Sequence, residues 1–162
     1  MNQPVDTTHA NDESPNPELS VVLPVYNEED AVADTVRDIV EQLTSQTMTY
    51  EIILVDDGSV DASTASIENI DNPAVRMVQH PYNIGNGAAV KTGIRQARGK
   101  YILLMDADGQ HLPSDIPRFL ELADRYDMVV GARSNPANSA VHRNIANRLY
   151  NRFAGYVCNH PI

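Results

Sequence analysis

The chain has 162 residues, 42% of them hydrophobic, and a formal net charge of −10, which suits one soluble domain with a core of its own and speaks against a nucleic-acid partner. Its one cysteine, Cys158, excludes an internal disulfide framework and a cysteine-rich zinc site. No apolar run nears the ~18 residues of a membrane span, and the start lacks the basic-then-apolar pattern of a secretory signal.

Residues 1–18 carry Asp6, Asp12, Glu13 and Glu18 with no Lys or Arg and almost nothing to bury, which predicts a disordered acidic tail. Leu19 to Val25 is the first expected strand, ended by Pro24 and followed by Tyr26-Asn27-Glu28-Glu29. Asp30 to Leu43 is a helix, since Val32, Val36, Ile39, Val40 and Leu43 recur at helical spacing. Tyr50 to Val55 is a second strand, stopped by Asp56-Asp57-Gly58-Ser59. A shorter helix spans about Asp61 to Ile70, and a third strand Val75 to Gln79. A loop over residues 80–87 leads into a helix from Gly87 to Arg98, and the fourth strand runs from Lys100 to Met105. Ser114 is the expected N-cap of a helix with Pro117 in its first turn. Asp127 to Gly131 is expected as a fifth strand, and Val141 to Phe153 as a helix with Ile145, Leu149 and Phe153 on one stripe. Alternating short apolar strands and helices predict an α/β fold, a mostly parallel sheet covered on both faces.

Chemistry gathers where strands end. Asp106 and Asp108 follow the fourth strand one residue apart, where open α/β sheets bind ligands. Two such carboxylates repel unless one takes up a proton or both face a hard cation, for which Gln110 and His111 offer further donors. The same four residues also make an ordinary polar turn. Polar clusters at Pro24–Glu28, Asp56–Ser59 and Gly131–Arg133 follow other strands and can share one crevice. Asp57 can accept from a base or ribose or cap a turn. Tyr26 can lie against a nucleobase or pack, and Arg133 can grip a phosphate or sit in solvent. Arg143, Arg148 and Arg152 follow it, in a segment from 128 onward without Asp or Glu, able to hold phosphate or to solvate a helix face. Gly85-Asn86-Gly87 resembles a dinucleotide fingerprint but lacks the third glycine and follows the wrong strand. No GxxxxGK[ST] loop, no metal-ligand spacing among His9, His80, His111, His142 and His160, and no nucleophilic triad stands out.

The stretches VVLPVYNEE (21–29), EIILVDDGSVD (51–61), NIGNGAAVKTGI (83–94), GKYILLMDADGQH (99–111) and DMVVGARS (127–134) resemble, in order and spacing, the glycosyltransferase family 2 domain. They are closest to its dolichyl-phosphate mannose synthase and polyprenyl-phosphate glycosyltransferase branch. The resemblance implies a GT-A nucleotide-diphospho-sugar transferase fold over residues 19–162 and inverting transfer from a nucleotide sugar, GDP-mannose or a UDP-hexose. The implied acceptor is a polyprenyl or dolichyl phosphate, with the protein peripheral to the cytoplasmic membrane face. By position it implies Pro24, Tyr26, Asn27 and Glu28 around the nucleoside, and Val55 and Asp57 at base and ribose. Asp106, Ala107 and Asp108 would meet the diphosphate, with Asp106 and Asp108 as the catalytic pair. Asp106, Asp108 and Gln110 would ligate Mg²⁺ or Mn²⁺, and Arg133 would contact phosphate.

The branch carries a further acceptor-side stretch, an Asp and a later Gly-Phe-Arg, where this chain ends at Ile162. The expectation is therefore a domain truncated on its acceptor side, in which donor binding survives and transfer depends on the missing part. The same donor half would serve a soluble or polysaccharide acceptor. A receiver-like signalling module also pairs acidic residues at strand ends, but its pair follows the first strand, where this chain has Pro24 to Glu28.

Overall fold

The computed structural model describes residues 16–132. Most of the expected tail, Arg133, the helix expected over Val141–Phe153 and the later arginines lie outside the described residues. The chain divides into two units, residues 1–127 and 128–162.

In the first unit the elements alternate: β1 (Leu19–Val25), α1 (Val32–Thr44), β2 (Tyr50–Asp56), α2 (Ser63–Glu68), β3 (Val75–Gln79), α3 (Asn86–Gln96), β4 (Tyr101–Leu104) and α4 (Ile116–Ala123). The four strands form one parallel sheet in the order β3-β2-β1-β4. Strand alternation sorts the side chains to two faces. Leu19, Val21, Leu23 and Val25 of β1 join Ile52 and Leu54 of β2 in a core filled by Val32, Val36, Ile39 and Leu43 of α1. Val22, Ile53 and Val55 point the other way and pack with Ala89 of α3. α3 lies close because Gly93 has no side chain, and a Cβ there would sit 2.2 Å from Val22 Cγ1.

Several boundaries differ from the sequence expectation, each for a physical reason. β1 keeps the expected bounds, Leu19–Val25, and runs through Pro24. Val22 C=O accepts from Met105 N–H on the β4 side and Val25 C=O from Asp57 N–H on the β2 side. Alternation then turns Pro24 toward β4, whose pairing already ended at Val22↔Leu104. A missing N–H there breaks no ladder. Ser114 is not the N-cap of α4. It lies inside a 3₁₀ turn (Pro113–Asp115), and Asp115 caps α4 with no side-chain hydrogen bond. Pairing begins before Leu19, as Pro17 C=O accepts from Lys100 N–H at 3.2 Å. The expected fifth strand at Asp127–Gly131 is not a strand, and Met128 and Val130 are 79% and 75% exposed. An apolar run becomes a strand only where a partner edge takes its backbone groups.

At the amino ends of the strands a buried polar knot holds the sheet. Glu51, 9% exposed, accepts from Ser20 Oγ at 2.7 Å, Arg98 N–H at 2.7 Å and Arg76 Nε at 3.1 Å. Burial would raise its pKa, but these donors hold it below the ordinary carboxylate range. Glu51→Ala strands a hydroxyl, an N–H and a guanidinium and should cost about 2–4 kcal/mol of stability. Urea unfolding checks this; a midpoint unchanged from wild type would show the knot to be energetically idle.

Candidate active site

The strand order reverses between β1 and β4: the chain builds outward from β1 through β2 to β3, then crosses to the other side. The crevice at the carboxyl ends of strands at such a switch point is where open α/β sheets bind ligands. Here it is bounded by residues 24–28 after β1 and 105–111 after β4.

The β4 turn is tightly organised. Gly109 adopts φ +71°, a conformation natural to glycine. Gln110 N–H donates to Asp108 Oδ1 at 2.9 Å, and Asp106 N–H donates to His111 Nδ1 at 3.2 Å. Thr35 Oγ1 of α1 donates to the Ala107 carbonyl at 3.2 Å. Met105 and Ala107 are thereby turned into the core, 6% and 2% exposed, and Asp106, with its side chain 49% exposed, faces solvent. Facing them, Glu28 has its pKa raised, first by burial and then by the negative charges of Asp108, Asp61 and Asp106. Glu28 thus lies in the negative field of Asp61 and of the β4 turn. Among the described residues no three His, Cys, Asp or Glu side chains are gathered closely enough to hold an ion by themselves. The donor set is nonetheless all hard oxygen, the chemistry Mg²⁺ and Mn²⁺ prefer, and Mg²⁺ is usually held by one or two carboxylates with phosphate and water completing its shell.

Beside this lies a cavity of about 560 Å³, lined by Tyr26, Gly58, Ser59, Val60 and the Gln79–Asn83 segment. Its size falls in the small-molecule range of roughly 300–1,000 Å³. Two loops zip together to form its floor. Asn27, at φ +56°, donates its N–H to Ser59 Oγ at 3.1 Å and accepts from Val60 N–H at 2.9 Å. Glu28 N–H donates to Ser63 Oγ at 2.7 Å. Tyr26, 43% exposed, and Tyr82, 66% exposed, offer ring faces at the cavity.

The Asp56-Asp57 pair does not open into this space. Asp56 accepts from Ser59 N–H at 2.9 Å, Thr64 Oγ1 at 2.6 Å and Gln79 Nε2 at 3.1 Å. Asp57, its side chain 3% exposed, accepts from His80 Nδ1 at 2.6 Å, Ile84 N–H at 3.1 Å and Gly85 N–H at 2.7 Å. Burial would raise both pKa values, but the hydrogen bonds outweigh it and hold both carboxyls below their ordinary range. The glycine run at 85–87 is thus fastened to a carboxylate.

The structure brings Tyr26, Asn27, Glu28, Asp106, Asp108 and Gln110 to one edge of the sheet, with Pro24 at its rim. It keeps Val55 and Asp57 inward, Val55 being fully buried under α3. Sequence reasoning passed over Gln79 to Asn83. The signal was available, since this segment follows a strand of the same parallel sheet, but it carries no acidic motif.

Acid should unfold the domain through these groups. A carboxylate whose folded pKa lies below its unfolded value stabilises above the unfolded range of about 3.9–4.3, and that stability is lost as pH falls through the depressed folded value. Glu51, Asp56 and Asp57 all have this sign. Thermal unfolding measured from pH 7 down to pH 2 should show a steep loss on the acid limb, shallower in Asp56→Asn. An acid limb of equal slope in that variant would remove Asp56 from the account.

A parallel sheet in this order, with acidic residues at the switch point beside a cavity, is an α/β fold of the GT-A type. The glycosyl transferase family 2 model matches residues 20–158, and the chain belongs to that family. It is 37% identical over 154 residues to dodecaprenyl-phosphate galacturonate synthase of Rhizobium johnstonii, covering 90% of this chain and 46% of that one. It is 38% identical over 130 residues to undecaprenyl-phosphate 4-deoxy-4-formamido-L-arabinose transferase of Pseudomonas fluorescens, covering 77% and 38%. The chain spans less than half the length of these curated relatives. Among solved structures, a mannosyltransferase from Pyrobaculum calidifontis in complex with GDP-Man and Mn²⁺ superposes with a TM-score of 0.50 at 25% identity, over 59% of this chain and 28% of that one. No helix among the described residues is long and apolar enough to cross a membrane.

Proposed function

We propose that this chain is the donor half of an inverting glycosyltransferase that passes a sugar from a nucleotide diphosphate sugar to a polyprenyl phosphate at a membrane surface. The observation that carries the reading is that the adjacent strands β1 and β4 end in Glu28 and in Asp106 and Asp108 on either side of the switch point, next to the cavity of Tyr26 and Tyr82. The cavity takes the nucleoside between aromatic faces. The diphosphate then lies over the β4 turn, where Asp106, Asp108 and Gln110 would hold Mg²⁺ or Mn²⁺. The metal, when bound, neutralises the charge that develops on the leaving diphosphate. Like-charge repulsion among the carboxylates supports this, because an unfilled cluster is electrostatically costly and a cation reverses the sign.

The acceptor phosphate is already an anion at neutral pH, so the chain's task is to orient it in line with the sugar carbon rather than to remove a proton. Attack from the face opposite the leaving diphosphate inverts the anomeric centre. Arg133, which follows the β4–α4 region in sequence, is the residue we assign to phosphate. The polyprenyl acceptor is supported by the names of both relatives.

The test is calorimetric titration with UDP, GDP and their sugar conjugates, with and without Mn²⁺, followed by an assay of sugar transfer to undecaprenyl phosphate. Metal-dependent binding of one nucleotide is the expected result. A folded chain that binds neither nucleotide would sink the reading.

A further inference from the structure

The proposed reaction gives no task to His80, yet its ring is one of the most constrained polar groups near the cavity. Its side chain is 10% exposed, and both nitrogens are engaged. Nδ1 lies 2.6 Å from Asp57 Oδ1 and Nε2 lies 2.9 Å from Thr92 Oγ1 of α3. An ionised carboxylate can only accept, so Nδ1 carries the proton, and in the neutral ring Nε2 accepts from the Thr92 hydroxyl. Asp57 also takes the N–H groups of Ile84 and Gly85, while His80 N–H donates to the Asp56 carbonyl at 2.8 Å. The segment between, 81–83, is a wall of the cavity. Both its ends are thus fastened to the Asp56-Asp57 pair, one of them through the ring of His80.

We propose that Thr92, His80 and Asp57 form a positioning relay that sets the cavity wall against the nucleobase of a nucleoside diphosphate, with His80 as the positioning residue. The proposal rests on the nucleotide-binding reading of the cavity. Its physical content is that Asp57 fixes the ring's tautomer, Thr92 fixes its tilt, and the ring in turn holds Asp57 where it takes Ile84 N–H and Gly85 N–H. Losing the Thr92 hydroxyl leaves a nearly buried Nε2 unpaired, and the ring then turns to reach another donor. The wall moves with it, and a shift of this kind weakens contact with the base but not with the diphosphate, which lies over a different turn.

The test uses the full chain and three variants, Thr92→Val, Thr92→Ser and His80→Asn. Long-range ¹H–¹⁵N spectra of the histidine rings should show His80 with Nδ1 protonated and Nε2 bare in wild type, and in Thr92→Val the Nε2 resonance should shift as it loses the hydroxyl while the proton stays on Nδ1. Affinity for UDP or GDP should fall about 5- to 20-fold in Thr92→Val, the worth of one buried hydrogen bond. It should return in Thr92→Ser and be intermediate in His80→Asn, whose amide can still donate to Asp57. Affinity for pyrophosphate with Mn²⁺ should stay at the wild-type value in all three. Equal nucleotide affinity in Thr92→Val and wild type, a His80 ring protonated on Nε2 alone, or an equal loss for pyrophosphate would each overturn the relay. Failure of wild type to bind either nucleotide, with the tautomer signature intact, would overturn the nucleotide reading and the pocket role together.

Discussion

Asp108→Asn removes manganese-dependent binding of a nucleoside diphosphate by this chain, by about 100-fold or more, and leaves its thermal unfolding close to wild type. The size follows from the role proposed for Asp108. Substituting a group that merely supports a metal ligand already costs roughly 10–100-fold in affinity, and Asp108 is placed as a ligand itself. The small effect on folding follows from its setting. Asp108 is only partly buried, and its one described bond, accepting from Gln110 N–H, can be kept by the amide oxygen of Asn. Glu28→Gln supplies a matching experiment of opposite sign. Burial and the charges of Asp108, Asp61 and Asp106 raise the Glu28 pKa. Its ionised form is thus disfavoured in the folded chain, and its cost is whole above the raised folded pKa and absent below the unfolded one. The metal-free variant should therefore melt higher than wild type at pH 7, and the gain should vanish in acid. A nucleotide affinity in Asp108→Asn within a few-fold of wild type, with and without Mn²⁺, would place the metal elsewhere.

Gly58→Ala should be strongly destabilising. Gly58 sits at φ +71°, and a Cβ there would lie 2.5 Å from Tyr82 C, 2.6 Å from Tyr82 Cα and 2.7 Å from Asn83 N. All three are backbone atoms, so no side chain can swing aside. The left-handed conformation and the forced separation of two loops together should cost about 2–4 kcal/mol. Because the displaced segment is the cavity wall, nucleotide affinity should fall with stability. Gly87→Ala is the control: it lies in α3 with nothing within 4 Å of the added Cβ and should stabilise by about 0.5–1 kcal/mol. Urea unfolding of the two variants side by side checks both signs. Equal midpoints would mean that the 58 turn and the 82–83 loop move apart freely.

The sequence carried much of this. Apolar runs of four to seven residues between helical patterns marked all four strands, and the acidic residues at their ends marked one edge of the sheet as chemical. The failures have a common cause. The run at Asp127–Gly131 has the composition of a strand, yet a ladder needs a partner edge that no local pattern encodes. Ser114 has the chemistry of an N-cap, yet it lies inside a 3₁₀ turn and Asp115 takes the cap position of α4.

Sequence by itself determined the four paired strands and the helices between them, since burial on one face writes a period of two or of 3.6 into the residues themselves. It also determined that carboxylates collect at the strand ends. Tertiary structure alone decided what each carboxylate does. Asp57 and Asp108 look alike in sequence, each in an acidic turn after a strand. The register Asp56↔Gln79 sets His80 and the loop that follows it beside Asp57, and those hydrogen bonds, made across 23 to 28 residues of chain, turn it inward. Asp108 accepts a neighbour's N–H among the described residues, and it remains at the switch point with Glu28 and Asp106 because β1 and β4 are adjacent there.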